Sequence, residues 1–323
     1  MKVLFLLRDP APGLRRAAEE LAEGLRDEGT IVETYFAEQW MPKQTGPKVD
    51  KIISPRLAEL VKPYDLVHAW GYRTAWACGE ALKTNKKWVF TAYQPPKTTH
   101  PDLIDRLSTC RYALCCSKMV GAKLLRAGVD GCKTIFPGVN LVDHPVDREA
   151  AREQMGWDPE RSYVGIFDGP DVDHAMIDAA FERTKSRVGD AELVYFSENE
   201  PHPRETLFGA VDLLLFPQAN KGFSMTLLDA MNHGTACIVH EFSGLSEVIE
   251  DRYSGLVYED PEALGDVLAS ALQMSLRTDG MREQARERIR VEFARELYIQ
   301  RVLRLYDKVM ASGKSAALPE KSG

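Results

Sequence analysis

The chain has 323 residues, 44% of them apolar and 28% charged, which suits two globular domains of about 150 residues each. Its net charge of −7 excludes the basic footprint of a nucleic-acid binder, and no apolar run approaches the roughly 18 residues that span a bilayer. The start, MKVLFLLRDP, lacks the longer apolar stretch and small-residue cleavage site of a secretory signal, so a cytoplasmic location is expected. Six cysteines at 78, 110, 115, 116, 132 and 237 contain no Cys-x-x-Cys pair. They read as free buried thiols in a reducing compartment rather than as zinc ligands.

Strand-like and helix-like segments alternate from the first residue. Val3 to Leu7 is a continuous apolar run, and Leu14, Ala18, Leu21 and Leu25 then recur at helical spacing up to Gly29. Ile31 to Phe36 reads as the next strand, and Met41 to Asp50 as a Pro/Gly/Lys-rich loop. Short apolar runs follow at 65–69, 88–92, 112–116 and 134–136, with helical stretches between them, notably 75–83 and 118–127. This alternation predicts a parallel sheet covered on both faces.

The pattern breaks at Pro137-Gly138-Val139-Asn140, and the polar run to Asp147 reads as a linker. A second alternating series has strands at 163–167, 193–196, 213–216, 236–240 and 256–258. From Pro261 onward the chain reads as helix, and its last dozen residues are small and polar. The expected organisation is therefore an α/β domain at 1–140, a second at 141–295, a final helix at 296–311 and a disordered tail at 312–323. Lys221 to Tyr258 reads as a glycine-started helix, a buried strand, a second short helix and another strand. A helix beginning at Gly222-Phe223-Ser224 turns its first backbone N–H groups outward and makes a natural anion site. No G-x-G-x-x-G follows a predicted strand, so a dinucleotide-dependent enzyme fits poorly.

Six segments carry a resemblance in their order and spacing. They are PYDLVHAWG at 63–71, Ser117 to Gly128, IFPGVN at 135–140, Met155-Gly156-Trp157, AVDLLLFP at 210–217, and Lys221 to Val257 with its Ser246 to Asp251 and Ser254 to Val257 portions. Together they resemble the family 4 glycosyltransferases. That resemblance implies the GT-B fold: two Rossmann-like domains facing a cleft, with the C-terminal helix crossing back to the first domain. It implies sugar transfer from a nucleotide-sugar donor with retention of configuration. The nucleotide-sugar is a co-substrate, and no cofactor is implied. The acceptor class, whether glycan, lipid or small molecule, stays open.

The resemblance also assigns residues. Gly222, Phe223, Ser224 and Met225 would bind the donor through their backbone, with Glu247 nearby. Lys221 and Asp229, with seven residues between them, stand where the family has two glutamates, the first at the sugar and the second at the ribose hydroxyls. Asp229 keeps two acceptors for a vicinal diol, whereas Lys221 inverts the charge and reads either as a diphosphate cation or as an exposed lysine. Gly13, in the loop Arg8 to Gly13, would approach donor and acceptor, although the same segment reads equally as an ordinary turn. Tyr93 stands near the position of a family histidine; it donates a hydrogen bond but is a poor general base at neutral pH. His68 is placed on the acceptor side, with a structural strand-end role as its other reading.

The family's Arg/Lys pair after the first strand of the second domain is missing. That loop reads Phe167-Asp168-Gly169-Pro170-Asp171-Val172-Asp173-His174. Its carboxylates read as a solvated acidic helix start rather than metal ligands. The basic residues Arg15, Arg16, Lys118, Lys123 and Arg126 read as a solvated face, and peripheral membrane contact is not favoured. The second functional reading is a catalytically degenerate GT-B protein that acts as a binding or regulatory partner.

Overall fold

A computed structural model describes residues 1–8, 12–40, 49–82, 87–197 and 200–312. It divides into two compact units: residues 1–138 together with those from Arg295 onward, and Val139–Ala294.

In the first unit the described elements run β1 (Lys2–Leu7), α1 (Pro12–Asp27), β2 (Ile31–Tyr35), α2 (Ala37–Trp40), α3 (Val49–Leu60), β3 (Leu66–Trp70), α4 (Tyr72–Ala81), β4 (Trp88–Ala92), α5 (Pro101–Leu107), β5 (Tyr112–Cys115), α6 (Lys118–Arg126) and β6 (Cys132–Thr134). The strands form a parallel sheet in the order β2-β1-β3-β4-β5-β6. β3 and β4 are buried along their whole length, which explains why they read as unbroken apolar runs. Helix α1 turns Ala17, Ala18, Leu21, Ala22 and Leu25 inward.

The second unit continues with α7 (Arg148–Met155), β7 (Ser162–Phe167), α8 (His174–Val188), β8 (Ala191–Phe196), α9 (Arg204–Ala210), β9 (Leu213–Phe216), α10 (Met225–Asn232), β10 (Ala236–His240), β11 (Leu256–Tyr258), α11 (Pro261–Gln273) and α12 (Ser275–Glu292). Its parallel sheet has the order β11-β10-β9-β7-β8. Val164, Ile166, Leu213, Leu215, Ala236 and Ile238 pack with Ile177 and Phe181 of α8 and Leu264 and Leu268 of α11. At Gly265 a Cβ would lie 3.0 Å from the Ala180 carbonyl oxygen, so α11 approaches α8 closely where the side chain is absent. The Thr184 hydroxyl donates to the Gly265 carbonyl there at 3.2 Å. Below the sheet Arg152 is almost fully buried and donates to Asp212 at 2.7 Å and to the Ala210 and Pro159 carbonyls. The ends of this unit meet where Val139 bridges Ala294.

Helix α13 (Arg295–Ser312) belongs to the first unit. Arg295 reaches Glu23 and Asp27 of α1, Ile299 lies over Gly24, and the Tyr306 hydroxyl shares a 2.6 Å hydrogen bond with His68 Nδ1. This is the C-terminal helix that crosses back to the first domain.

The structure corrects four sequence expectations. Asp50 lies in helix α3 rather than in a loop; residues 41–48 lie outside the described residues, and Pro55 within α3 weakens its helical signal. Gly13 is not in a loop but in the first turn of α1, where Pro12 supplies the opening geometry. The second short helix before β11 is a run of turns over 241–248. There Ser243 donates to the His240 carbonyl and Ser246 to the Glu241 and Ser243 carbonyls, bonds that compete with a helical ladder. Ser312 ends α13, and the remaining expected tail, 313–323, lies outside the described residues.

Candidate donor site

In open parallel α/β sheets ligands bind beyond the carboxyl ends of the strands. In the second unit that edge is formed by Phe167 at the end of β7, Phe216 at the end of β9 with Pro217 following, and His240 at the end of β10. The Tyr258 hydroxyl donates to the Pro217 carbonyl at 2.9 Å, which fixes the chain leaving β9. Lys221 N then donates to the Gln218 carbonyl, and Gly244 N donates to the Lys221 carbonyl at 2.8 Å. These bonds hold the 218–224 loop beside the turns that carry Glu247.

The loop ends at Ser224, which is the N-cap of α10: its backbone is extended and its hydroxyl accepts from Leu227 N at 3.4 Å. The helix therefore starts three residues after Gly222, later than the glycine start expected from the sequence. The N-terminal end of α10 carries partial positive charge. Phe223 and Met225 are buried, whereas Lys221, Ser224, Thr226 and Glu247 keep partial exposure. Asp229 is one turn further along α10, 9% exposed, and its carbonyl accepts from the backbone and ring of His233.

Two of the three carboxylates of the neighbouring β7 loop, Asp168 and Asp173, are engaged locally. Asp173 caps α8 by accepting from Met176 N at 3.1 Å. Asp168 accepts from Gly169 N at 2.7 Å and lies 2.9 Å from His174 Nε2. No group of three or more metal-ligating side chains that could hold an ion is found among the described residues. A cation does reach this edge from another element. Arg204, the first residue of α9, donates to the Thr226 hydroxyl at 3.0 Å and lies over the Phe167 ring at 5.1 Å. Its sequence position, opening α9, lies outside both the loop after β7 and the Lys221 segment to which the resemblance points.

In the first unit His68 is fully buried, with Nε2 2.7 Å from the Thr91 hydroxyl and Nδ1 bonded to Tyr306. Burial lowers its pKa to about 3. The ring is a core hydrogen-bonding group with no surface for an acceptor, which corrects its acceptor-side reading. Tyr93 follows β4 and is 8% exposed; burial pushes its phenol well above the usual range. Gly13 is exposed, and a Cβ there would meet no atom within 4 Å. The Arg8 to Gly13 segment includes residues 9–11, outside the described residues. All six cysteines are free, and all but Cys132 are buried. A groove of about 540 Å³ beside β8 lies elsewhere, and its Arg161, Glu192, Asp178 and Tyr195 are already paired with one another or with neighbours.

Residues 180–289 match the family model for glycosyl transferases group 1. The D-inositol 3-phosphate glycosyltransferase of Corynebacterium urealyticum is 28% identical over 113 residues, a stretch that covers 34% of this chain and 26% of that protein. The matched stretch thus spans about a quarter of that relative's length. Among solved structures, sucrose-phosphate synthase from Thermosynechococcus elongatus superposes with a TM-score of 0.78 at 16% identity, covering 97% of this chain and 100% of that one. Anabaena HepE in complex with UDP-glucose superposes with a TM-score of 0.76 at 14% identity, covering 95% and 100%. The fold is GT-B, and the second unit carries glycosyltransferase-type sequence over residues 180–289, which include β9, α10 and β10 but not β7. No helix among the described residues is long and apolar enough to cross a membrane.

Proposed function

We propose that this chain transfers a sugar, of hexose type, from a nucleotide-sugar donor to an acceptor with retention of configuration, in the cytoplasm. The observation that carries the reading is the coincidence, in the second unit, of the glycosyl transferases group 1 match with the capped start of α10 at the carboxyl edge of the sheet. The α10 end offers backbone N–H groups and a dipole to a diphosphate. Asp229 lies on the same helix and offers two carboxylate oxygens to the ribose hydroxyls. The solved neighbour HepE was captured with UDP-glucose, which makes UDP-sugars the first donors to try. Tyr93 and Gly13 are assigned to the acceptor side, and the acceptor is a glycan, a lipid or a small molecule. Catalysis of this kind rests on position and electrostatics, since the leaving phosphate takes part in deprotonating the acceptor.

One observation favours the second reading, a degenerate binding partner: a lysine stands at 221 and carboxylates fill the β7 loop. Turnover separates the two. The protein is incubated with UDP-, GDP- and ADP-sugars, with and without pooled acceptors, and free nucleoside diphosphate is measured. Release from one nucleotide class, stimulated by acceptor, is the expected result. Binding without release from any of them supports the degenerate partner instead.

A further inference from the structure

Arg204 lacks the carboxylate partner that several arginines of its unit have, and unlike Arg183, Arg282 and Arg286 it is not held by backbone carbonyls of the described residues either. Arg148, Arg152, Arg161, Arg187 and Arg288 each meet a carboxylate. Arg204 meets none among the described residues; its partners are the Thr226 hydroxyl and the Phe167 ring. Phe167 ends β7 and Thr226 lies in the first turn of α10, so one exposed guanidinium links the two elements whose ends frame the candidate site. Lys221, in the loop leading to α10, also has no carboxylate partner among the described residues. A cation at a helix N-terminus stands against the helix dipole. Asp168 is engaged by Gly169 and His174, and Asp173 is engaged in capping α8. Such a local conflict is relieved when an anion occupies the space between the charges.

We propose that Arg204 binds the diphosphate of the donor. It takes the place of the cations that the β7 loop lacks. The planar guanidinium presents paired N–H donors that match phosphate oxygens, while the Thr226 hydroxyl and the Phe167 ring fix its direction. Lys221 contributes a second positive charge from the loop. This inference rests on the nucleotide-sugar reading above, and the test keeps the two apart.

UDP, GDP, ADP and the corresponding monophosphates are titrated calorimetrically into the full chain, and into Arg204→Ala and Arg204→Lys. Loss of a charge-assisted hydrogen-bonding group predicts an affinity about tenfold to a hundredfold lower for the nucleoside diphosphate in Arg204→Ala. The monophosphate weakens less, so the preference for diphosphate shrinks, and Arg204→Lys restores part of it. Because the side chain is exposed, both unliganded variants keep the wild-type melting temperature. Unchanged diphosphate affinity in Arg204→Ala overturns the assignment. So does equal weakening of mono- and diphosphates with a lowered melting temperature, which marks a structural role. If the wild type binds none of these nucleotides, the donor reading itself falls and this inference falls with it.

Discussion

At the residue scale, His68 shows how a candidate catalytic group becomes a structural one. Both ring nitrogens are used inside the first unit, by Thr91 and Tyr306, and the ring stacks on Trp70 at 4.7 Å. Burial lowers its pKa to about 3, against about 6.5 in an unfolded chain. Above pH 6.5 the ring is neutral in both states and pH does not act through it. Below that, the unfolded chain takes up a proton that the native ring refuses, so the folding equilibrium constant falls up to about tenfold per pH unit until pH 3. Replacing His68 by Gln removes this contribution. In pH-dependent denaturation the wild type should therefore lose stability more steeply than His68→Gln between pH 6.5 and 3. Parallel acid limbs for the two proteins would count against the assignment. A histidine ending an apolar run is visible in sequence, but its partner Tyr306 is far along the chain and is not. Arg204 was hidden for the same reason: its site belongs to β7 and α10, while its own sequence position opens α9.

At the element scale, the parallel strands were legible because burial on both faces demands continuous apolar runs, as in β1, β3, β4 and β9. The start of α10 was legible to within its cap. The turns at 241–248 were not, because apolar spacing there resembles a helix while the serine hydroxyls satisfy the backbone another way. Helix α13 reveals itself as amphipathic in sequence, and Gly24 shows where it docks. A Cβ at Gly24 would lie 2.1 Å from Ile299 Cδ1, the movable end of a side chain. Gly24→Leu should overpack this contact and cost about 1–3 kcal/mol, a fall of several degrees in melting temperature at this size. Adding Ile299→Ala should recover part of the loss. A variant that melts like the wild type, or a pair of strictly additive effects, would show that α13 does not seat on α1 there.

At the scale of the whole molecule, the chain makes one unit from a continuous segment and the other from two segments, the second of which carries α13. Two α/β series separated by an irregular stretch were readable as two domains, and the solved neighbours share the GT-B fold over nearly the whole chain. The chemistry was less readable. Fold is shared by proteins with different donors and acceptors, and at the two positions where the resemblance implies glutamates this chain carries Lys221 and Asp229. The account's central claim is that the second unit binds the nucleotide of a sugar donor at the start of α10, with Asp229 as a ligand. The direct measurement is a thermal-shift panel of UDP, GDP, ADP and their common sugars on wild type and Asp229→Asn. Ligand at about 100 times its dissociation constant adds roughly 2.7 kcal/mol, a shift of a few degrees. The account predicts that shift for one nucleotide class in the wild type and its loss in Asp229→Asn. No shift with any nucleotide, or an equal shift in both proteins, would contradict it.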